Sequence, residues 1–184
     1  MNFKRITIIS GHFGSGKTNI AVNLALELRK IKQKVAIADI DIVNPYFRTK
    51  DSEELFNSND IKLICSKYAN SNVDIPALPQ EIYGVIDDKT TSFILDVGGD
   101  DRGALALGRL SSKIVDENDY DMFYVVNKFR PLTSDAKSTI EVKEEIDYDG
   151  LNLLTLENLF NTETGIMAEN EDCEAGHVGC WVQF

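Results

Sequence analysis

Apolar and polar positions alternate between two periods along the chain. Ile6, Ile8 and Ile9 are β-branched, apolar and bounded by Ser10 and Gly11, which predicts a buried strand. Ile20, Leu24 and Leu28 then recur four apart, with Ala21 and Ala25 on the same face. That is helix spacing, and the helix is expected to open near Gly16 or Lys17 and to run to about Lys30. Short apolar runs at 35–39, 61–65, 93–96 and 122–126 predict further strands. Helices are expected over 52–56, 79–86, 104–115 and 134–146, with Pro79 opening one and Ser134 or Asp135 near the cap of another. Residues 68–80 read as a loop with two prolines. Strands that alternate with helices imply parallel β-α-β units. The expected fold class is α/β: a mostly parallel, doubly wound sheet with helices on both faces, in three layers.

Between the first strand and the first helix lies Gly11-His12-Phe13-Gly14-Ser15-Gly16-Lys17-Thr18. This fits G-x-x-x-x-G-K-[ST], the P-loop, in its required strand–loop–helix context. Each residue type has a reason. Backbone N–H groups that wrap a phosphate chain need close approach and left-handed backbone angles, and glycine permits both. The helix N-terminus adds partial positive charge. Lys17 can reach the β- and γ-phosphates, and the Thr18 hydroxyl can serve Mg²⁺. The residues expected to hold a nucleotide here are Gly11, His12, Phe13, Gly14, Ser15, Gly16, Lys17, Thr18 and Asn19. A glycine-rich turn with no ligand is the competing reading, and the complete motif outweighs it.

Three other strand ends carry chemistry-bearing residues. "AIADIDIVNPYFR", 36–48, ends a strand in Asp39 and Asp41, which lie on the same side of an extended chain. Asp39 is expected near Mg²⁺ and Asp41 near an attacking water, which makes Lys17 and Asp41 the candidate catalytic residues. "SFILDVGGDDRG", 92–103, places Asp96 at a strand end as a metal-holding carboxylate. The metal set is then Thr18, Asp39 and Asp96. Gly98 and Gly99 would let the backbone come near the γ-phosphate. "FYVVNKFRP", 123–131, ends a strand with Asn127, whose amide suits a purine edge. The guanine-reading pattern N-K-x-D has Arg130 in its last place here, which favours adenine. A plain Asx turn before Pro131 competes with that reading.

Composition narrows the classes. The chain has 184 residues, 43% of them hydrophobic, which suits a single α/β domain with a sizeable core. Its net charge of −11 is uneven, since all nineteen Lys and Arg lie within 1–143. The segment from Glu144 to Phe184 holds ten acidic residues. No basic stripe marks a nucleic-acid surface, and no long apolar run marks a membrane span. Three cysteines, Cys65, Cys173 and Cys180, do not make a disulfide framework, and the cytoplasm is the expected compartment. Cys173, His177 and Cys180 offer a weak metal motif, outweighed by an unstructured tail.

The motifs "GHFGSGKTN", "ADIDIVNPYFR", "FILDVGGD" and "VVNKFRP", in that order, resemble the MinD/ParA-type P-loop proteins, grouped with the CobQ/CobB nucleotide-binding domains. The resemblance covers about residues 3–146. It implies a P-loop NTPase fold with a seven- or eight-stranded sheet that binds Mg·ATP, often with ATP between two subunits, and a hydrolysis step that resets a switch. By position Asp41 would orient the attacking water, with Asp39 and Asp96 around Mg²⁺. Two departures stand out. The family's second loop position carries a lysine that reaches across the dimer, and His12 stands there instead. An imidazole does not carry lysine's fixed charge at neutral pH. The family also continues past the position of Ile146 with another strand and helix. Residues 150–184 offer at most one element, near 151–160, so an incomplete C-terminal part is expected. The expected organisation is a nucleotide-binding domain over 1–149 and an acidic, at most partly ordered segment over 150–184.

These residues support a Mg²⁺-dependent ATP-binding switch with slow ATPase activity, with an unidentified protein partner and a homodimer as further expectations. The alternatives are a non-hydrolysing ATP-binding adaptor, a P-loop kinase or ligase with a substrate loop at "SNVDIPALP", and a metallochaperone GTPase.

Overall fold

The computed structural model describes residues 3–41, 48–65, 78–127 and 129–144. The 71–77 part of the substrate-loop stretch, the boundary at 149/150, the 151–160 element and the Cys173–His177–Cys180 group fall outside them. A strand that is apolar at nearly every position has no solvent face and must be covered on both sides. Three of the expected strands have this pattern and are buried at every residue: β1 (Ile6–Ser10), β2 (Val35–Asp39) and β4 (Ser92–Asp96). β3 (Lys62–Cys65) and β5 (Tyr120–Tyr124) are less completely buried. Among the described residues they form one five-stranded sheet in the order β3-β2-β4-β1-β5. Every pairing in it is parallel.

Successive residues of a strand point to opposite faces, so each strand feeds two cores. One core takes Ile6 and Ile8 of β1, Phe93 and Leu95 of β4, and Met122 of β5. Helices α3 (Gln80–Asp87) and α4 (Asp101–Glu117) cover it with Ile82, Ile86, Leu107, Leu110 and Ile114. The other core takes Ile9, Ile37 and Ile94 and is covered by α1 (Lys17–Ile31), through Ala21, Leu24, Ala25 and Leu28. Phe56 of α2 (Glu53–Ser58) joins it. Burying each of those leucines contributes about 1.5–3 kcal/mol. The result is helices on both faces of a parallel sheet, as the alternating pattern implied.

Two boundaries differ from expectation for physical reasons. α4 begins at Asp101 rather than near Ala104. The Asp100 side chain caps it by accepting from the Gly103 N–H at 2.9 Å. Gly103 sits inside the helix, where a Cβ would lie 2.0 Å from the Gly98 carbonyl oxygen. β5 starts at Tyr120 rather than Met122, because Tyr120 pairs with Ile6 at the start of β1. Val125 and Val126 stay buried just past its end. α5 (Ala136–Glu144) follows a 3-10 turn at Pro131–Thr133, and Asp135 caps it by accepting from the Ser138 N–H at 2.8 Å.

Candidate functional site

Parallel strands all end on the same edge of the sheet, and ligands of such sheets bind at that edge. β1 lies between β4 and β5, so the loop after β1 meets the ends of both neighbours. The Val97 N–H donates to the Ile9 carbonyl at 2.9 Å, and the Val125 N–H donates to the Ser10 carbonyl at 2.6 Å. The P-loop is thereby held from both sides at its root.

Glycines then shape the loop. Gly14 and Gly16 adopt φ of 75° and 95°, left-handed values that other residues reach only with strain. At Gly99 the need is space rather than angle. A Cβ there would stand 2.2 Å from the Gly11 carbonyl carbon and 2.6 Å from the His12 nitrogen. Gly99 therefore packs on the root of the P-loop. At the other end of the loop Gly16 caps α1 with no side chain on its free N–H groups, and the first turn of α1 holds no acid. Those N–H groups and the helix dipole are open to an anion.

Beside this loop sits a cluster of opposite charges. The Lys17 ammonium lies 2.6 Å from Asp41 Oδ2, and both side chains are buried. Asp41 also lies near Gly98, where a Cβ would be 3.2 Å from its Oδ1. Thr18 donates its hydroxyl to Asp96 Oδ2 at 2.8 Å. Burial pushes the Asp96 carboxyl up to about 6, against the pull of Lys17 and the Thr49 and Thr18 hydroxyls. Asp96 Oδ1 is buried with no hydrogen-bond partner. Asp39, expected near Mg²⁺, meets an arginine of the chain itself. The Arg48 guanidinium grips both of its oxygens, at 2.9 and 3.1 Å. Burial alone would lower the Arg48 pKa, but the bond to Asp39 and the charges of Asp39, Asp41 and Asp96 raise it.

The remaining sequence-singled residues ring the loop. Asn127 donates from Nδ2 to the Gly14 carbonyl at 3.2 Å and accepts the Phe129 N–H at 3.0 Å. It clips the end of β5 to the P-loop. Arg130 donates from Nε to the same carbonyl at 3.3 Å. The His12 carbonyl accepts the Ser15 N–H at 3.0 Å, and the Ser15 hydroxyl is buried without a partner. Phe13 and Asn19 are exposed. Sequence reasoning assigned no role to Arg48 or Thr49. Arg48 closes the stretch 36–48 and Thr49 follows it, but nothing in the sequence says which carboxylate each one meets.

The donors fit a metal-bound nucleotide. Left-handed glycines, an uncapped helix N-terminus and a buried lysine suit phosphates. Among the described residues no cluster of three or more His, Cys, Asp or Glu side chains could hold a metal alone. Mg²⁺ is usually held by one or two carboxylates, substrate phosphates and water, joined in P-loop proteins by a Ser or Thr hydroxyl of the loop.

The family model for the CobQ/CobB/MinD/ParA nucleotide-binding domain (CbiA) matches residues 6–164. The chain belongs to the CobQ/CobB/MinD/ParA nucleotide-binding domain family. As a member of that family it is a P-loop nucleotide-binding protein, with the P-loop and both neighbouring strand ends inside the matched range. Among solved structures it is similar to FlhF complexed with GTP/Mg²⁺, at a TM-score of 0.51 and 16% identity. That likeness covers 80% of this chain and 54% of the FlhF chain, so this chain spans about half the length of its neighbour. It shows a shared fold. No curated protein matches the sequence. Among the described residues no helix is long and apolar enough to cross a membrane.

Proposed function

We propose that this family member is a Mg²⁺-dependent ATP-binding protein that acts as a nucleotide switch with slow ATPase activity. The observation that carries the reading is the buried Lys17–Asp41 pair beside Thr18 and Asp96. Lys17 would hold the β- and γ-phosphates, and Thr18 and Asp96 would hold the cation, directly or through its waters. The cation neutralises charge on the transferred phosphoryl group when bound. Once Lys17 turns to phosphate, the Asp41 carboxylate would be placed to accept a proton of the attacking water and orient it. His12 in place of a lysine removes a fixed charge from the loop, which favours slow turnover.

Arg130 favours adenine. Guanine recognition needs a carboxylate after the Asn-Lys pair, and the residue there is a cation lying across Gly14. The GTP bound to the FlhF neighbour supports a second reading, GTP binding, with Asn127 keeping one amide hydrogen for the base. Phosphate release separates the readings. Turnover of ATP in preference to GTP, lost in Asp41→Asn with nucleotide affinity retained, is the expected result. Turnover of GTP alone would overturn the choice of base. No turnover with either, in a chain that binds ATP, would leave a binding adaptor.

A further inference from the structure

Thr49 opens a 3-10 turn at Thr49–Ser52 and is wholly buried. Its hydroxyl donates to Asp96 Oδ2 at 2.6 Å, the same oxygen that accepts from Thr18 at 2.8 Å. Two hydroxyls from separate parts of the chain thus converge on one carboxylate oxygen. The other oxygen, Oδ1, is buried and bare. A purely structural carboxylate would spread its donors over both oxygens, since each has two lone pairs to satisfy. This arrangement instead leaves one face of Asp96 for a group that the protein does not supply.

Its neighbour Arg48 does the opposite for Asp39. The guanidinium occupies both Asp39 oxygens, and the Lys50 N–H adds a third contact at 3.4 Å. Asp39 is therefore neutralised and satisfied, while Asp96 is not. One dipeptide, Arg48-Thr49, withdraws one strand-end carboxylate and adds a hydroxyl to the other.

We infer that Thr49 is a second hydroxyl ligand of the nucleotide's divalent cation, beside Thr18 on Asp96, and that Asp39 lies outside the ligand set. A hydroxyl that donates its hydrogen to a carboxylate keeps its lone pairs for another partner. Such neutral oxygens are ligands that Mg²⁺ accepts together with a carboxylate and phosphates. The inference rests on the Mg²⁺-nucleotide reading above, and its failure is distinguishable from the failure of that reading.

The test uses the full chain and a fluorescent ATP analogue, titrated over a range of Mg²⁺ concentrations and in EDTA. Thr49→Val keeps the shape and removes the oxygen. It is expected to raise the half-saturating Mg²⁺ concentration about tenfold or more, with affinity in EDTA unchanged. Thr49→Ser is expected to restore the wild-type value. Thr49→Cys folds with a side chain of similar size and offers soft sulfur, so its preference should move from Mg²⁺ towards Cd²⁺ relative to wild type. A Mg²⁺ requirement within about twofold of wild type in Thr49→Val, or an unchanged metal preference in Thr49→Cys, would make Thr49 a buckle of the turn and overturn the inference. Wild-type chain that binds the analogue equally with and without Mg²⁺, or not at all, would overturn the parent reading and this one with it.

Discussion

Lys17 Nζ and Asp41 Oδ2 stand 2.6 Å apart, with both side chains almost entirely out of water. The lysine proposed to hold phosphate is thus paired with the carboxylate proposed to orient water. In the proposed reading a bound phosphate would compete with Asp41 for that ammonium and draw Lys17 away from the carboxylate.

The pair makes a stability prediction that needs no nucleotide. Removing one member leaves the other charged and buried, which costs about 3–5 kcal/mol, whereas replacing both by apolar groups is close to neutral. Lys17→Ala alone should therefore unfold at markedly lower urea. Lys17→Met combined with Asp41→Leu should recover most of the loss. Equal losses in the single and double variants would contradict a compensated buried pair.

Two glycines should answer oppositely to alanine. At Gly99 the methyl would strike the Gly11 and His12 backbone, which cannot turn aside. Gly99→Ala is expected to destabilise by about 1–3 kcal/mol and to weaken nucleotide binding. At Gly84, inside α3, an added Cβ meets nothing within 4 Å. Gly84→Ala is expected to stabilise by about 0.5–1 kcal/mol. Thermal melts of the two variants check both signs.

A second buried pair sets a pH dependence away from the site. Arg5 donates to both Glu117 oxygens at 2.6 Å and also to the Ile86 carbonyl at 2.8 Å, tying the ends of α3 and α4 to the start of β1. Burial alone would raise the Glu117 carboxyl, but Lys89 and Arg5 hold it below its ordinary 4.5. A carboxyl lowered in the folded state adds stability above its unfolded pKa and loses it as pH falls through the folded one. Arg5→Met should cost about 1.5–3 kcal/mol at pH 7, since Lys89 still pairs Glu117 at 2.6 Å. The gap from wild type should narrow below about pH 4.5, as Glu117 protonates. Urea unfolding at pH 7 and below 4.5 reads it, and a constant gap would contradict the assignment.

Much of this was legible in the sequence because it is local. The P-loop motif, the strand at Val35–Asp39 and the helical spacing of Leu24 and Leu28 each lie within one short window. The sheet order was not legible, since nothing in β1 says that β4 and β5 are its neighbours. The same non-locality hid Thr49 on Asp96 and Arg48 on Asp39, partners 47 and 9 positions apart along the chain. Asp39 and Asp41 look alike in sequence and differ only in the cation that the fold brings to each. The need for glycine at 103 was hidden too, because it lies in the close approach of the Gly98 backbone.

The P-loop is proposed to bind a Mg²⁺-nucleotide, with adenine preferred. Thermal unfolding of the full chain with Mg·ATP, with Mg·GTP and with neither tests it most directly, beside the Lys17→Met, Asp41→Leu double variant. A ligand that binds only the folded chain at about 100 times its Kd stabilises by about 2.7 kcal/mol. That rise is expected with ATP in the wild type, together with its loss in the double variant. A rise with GTP alone would contradict the choice of base, and no rise with either nucleotide would contradict the claim itself.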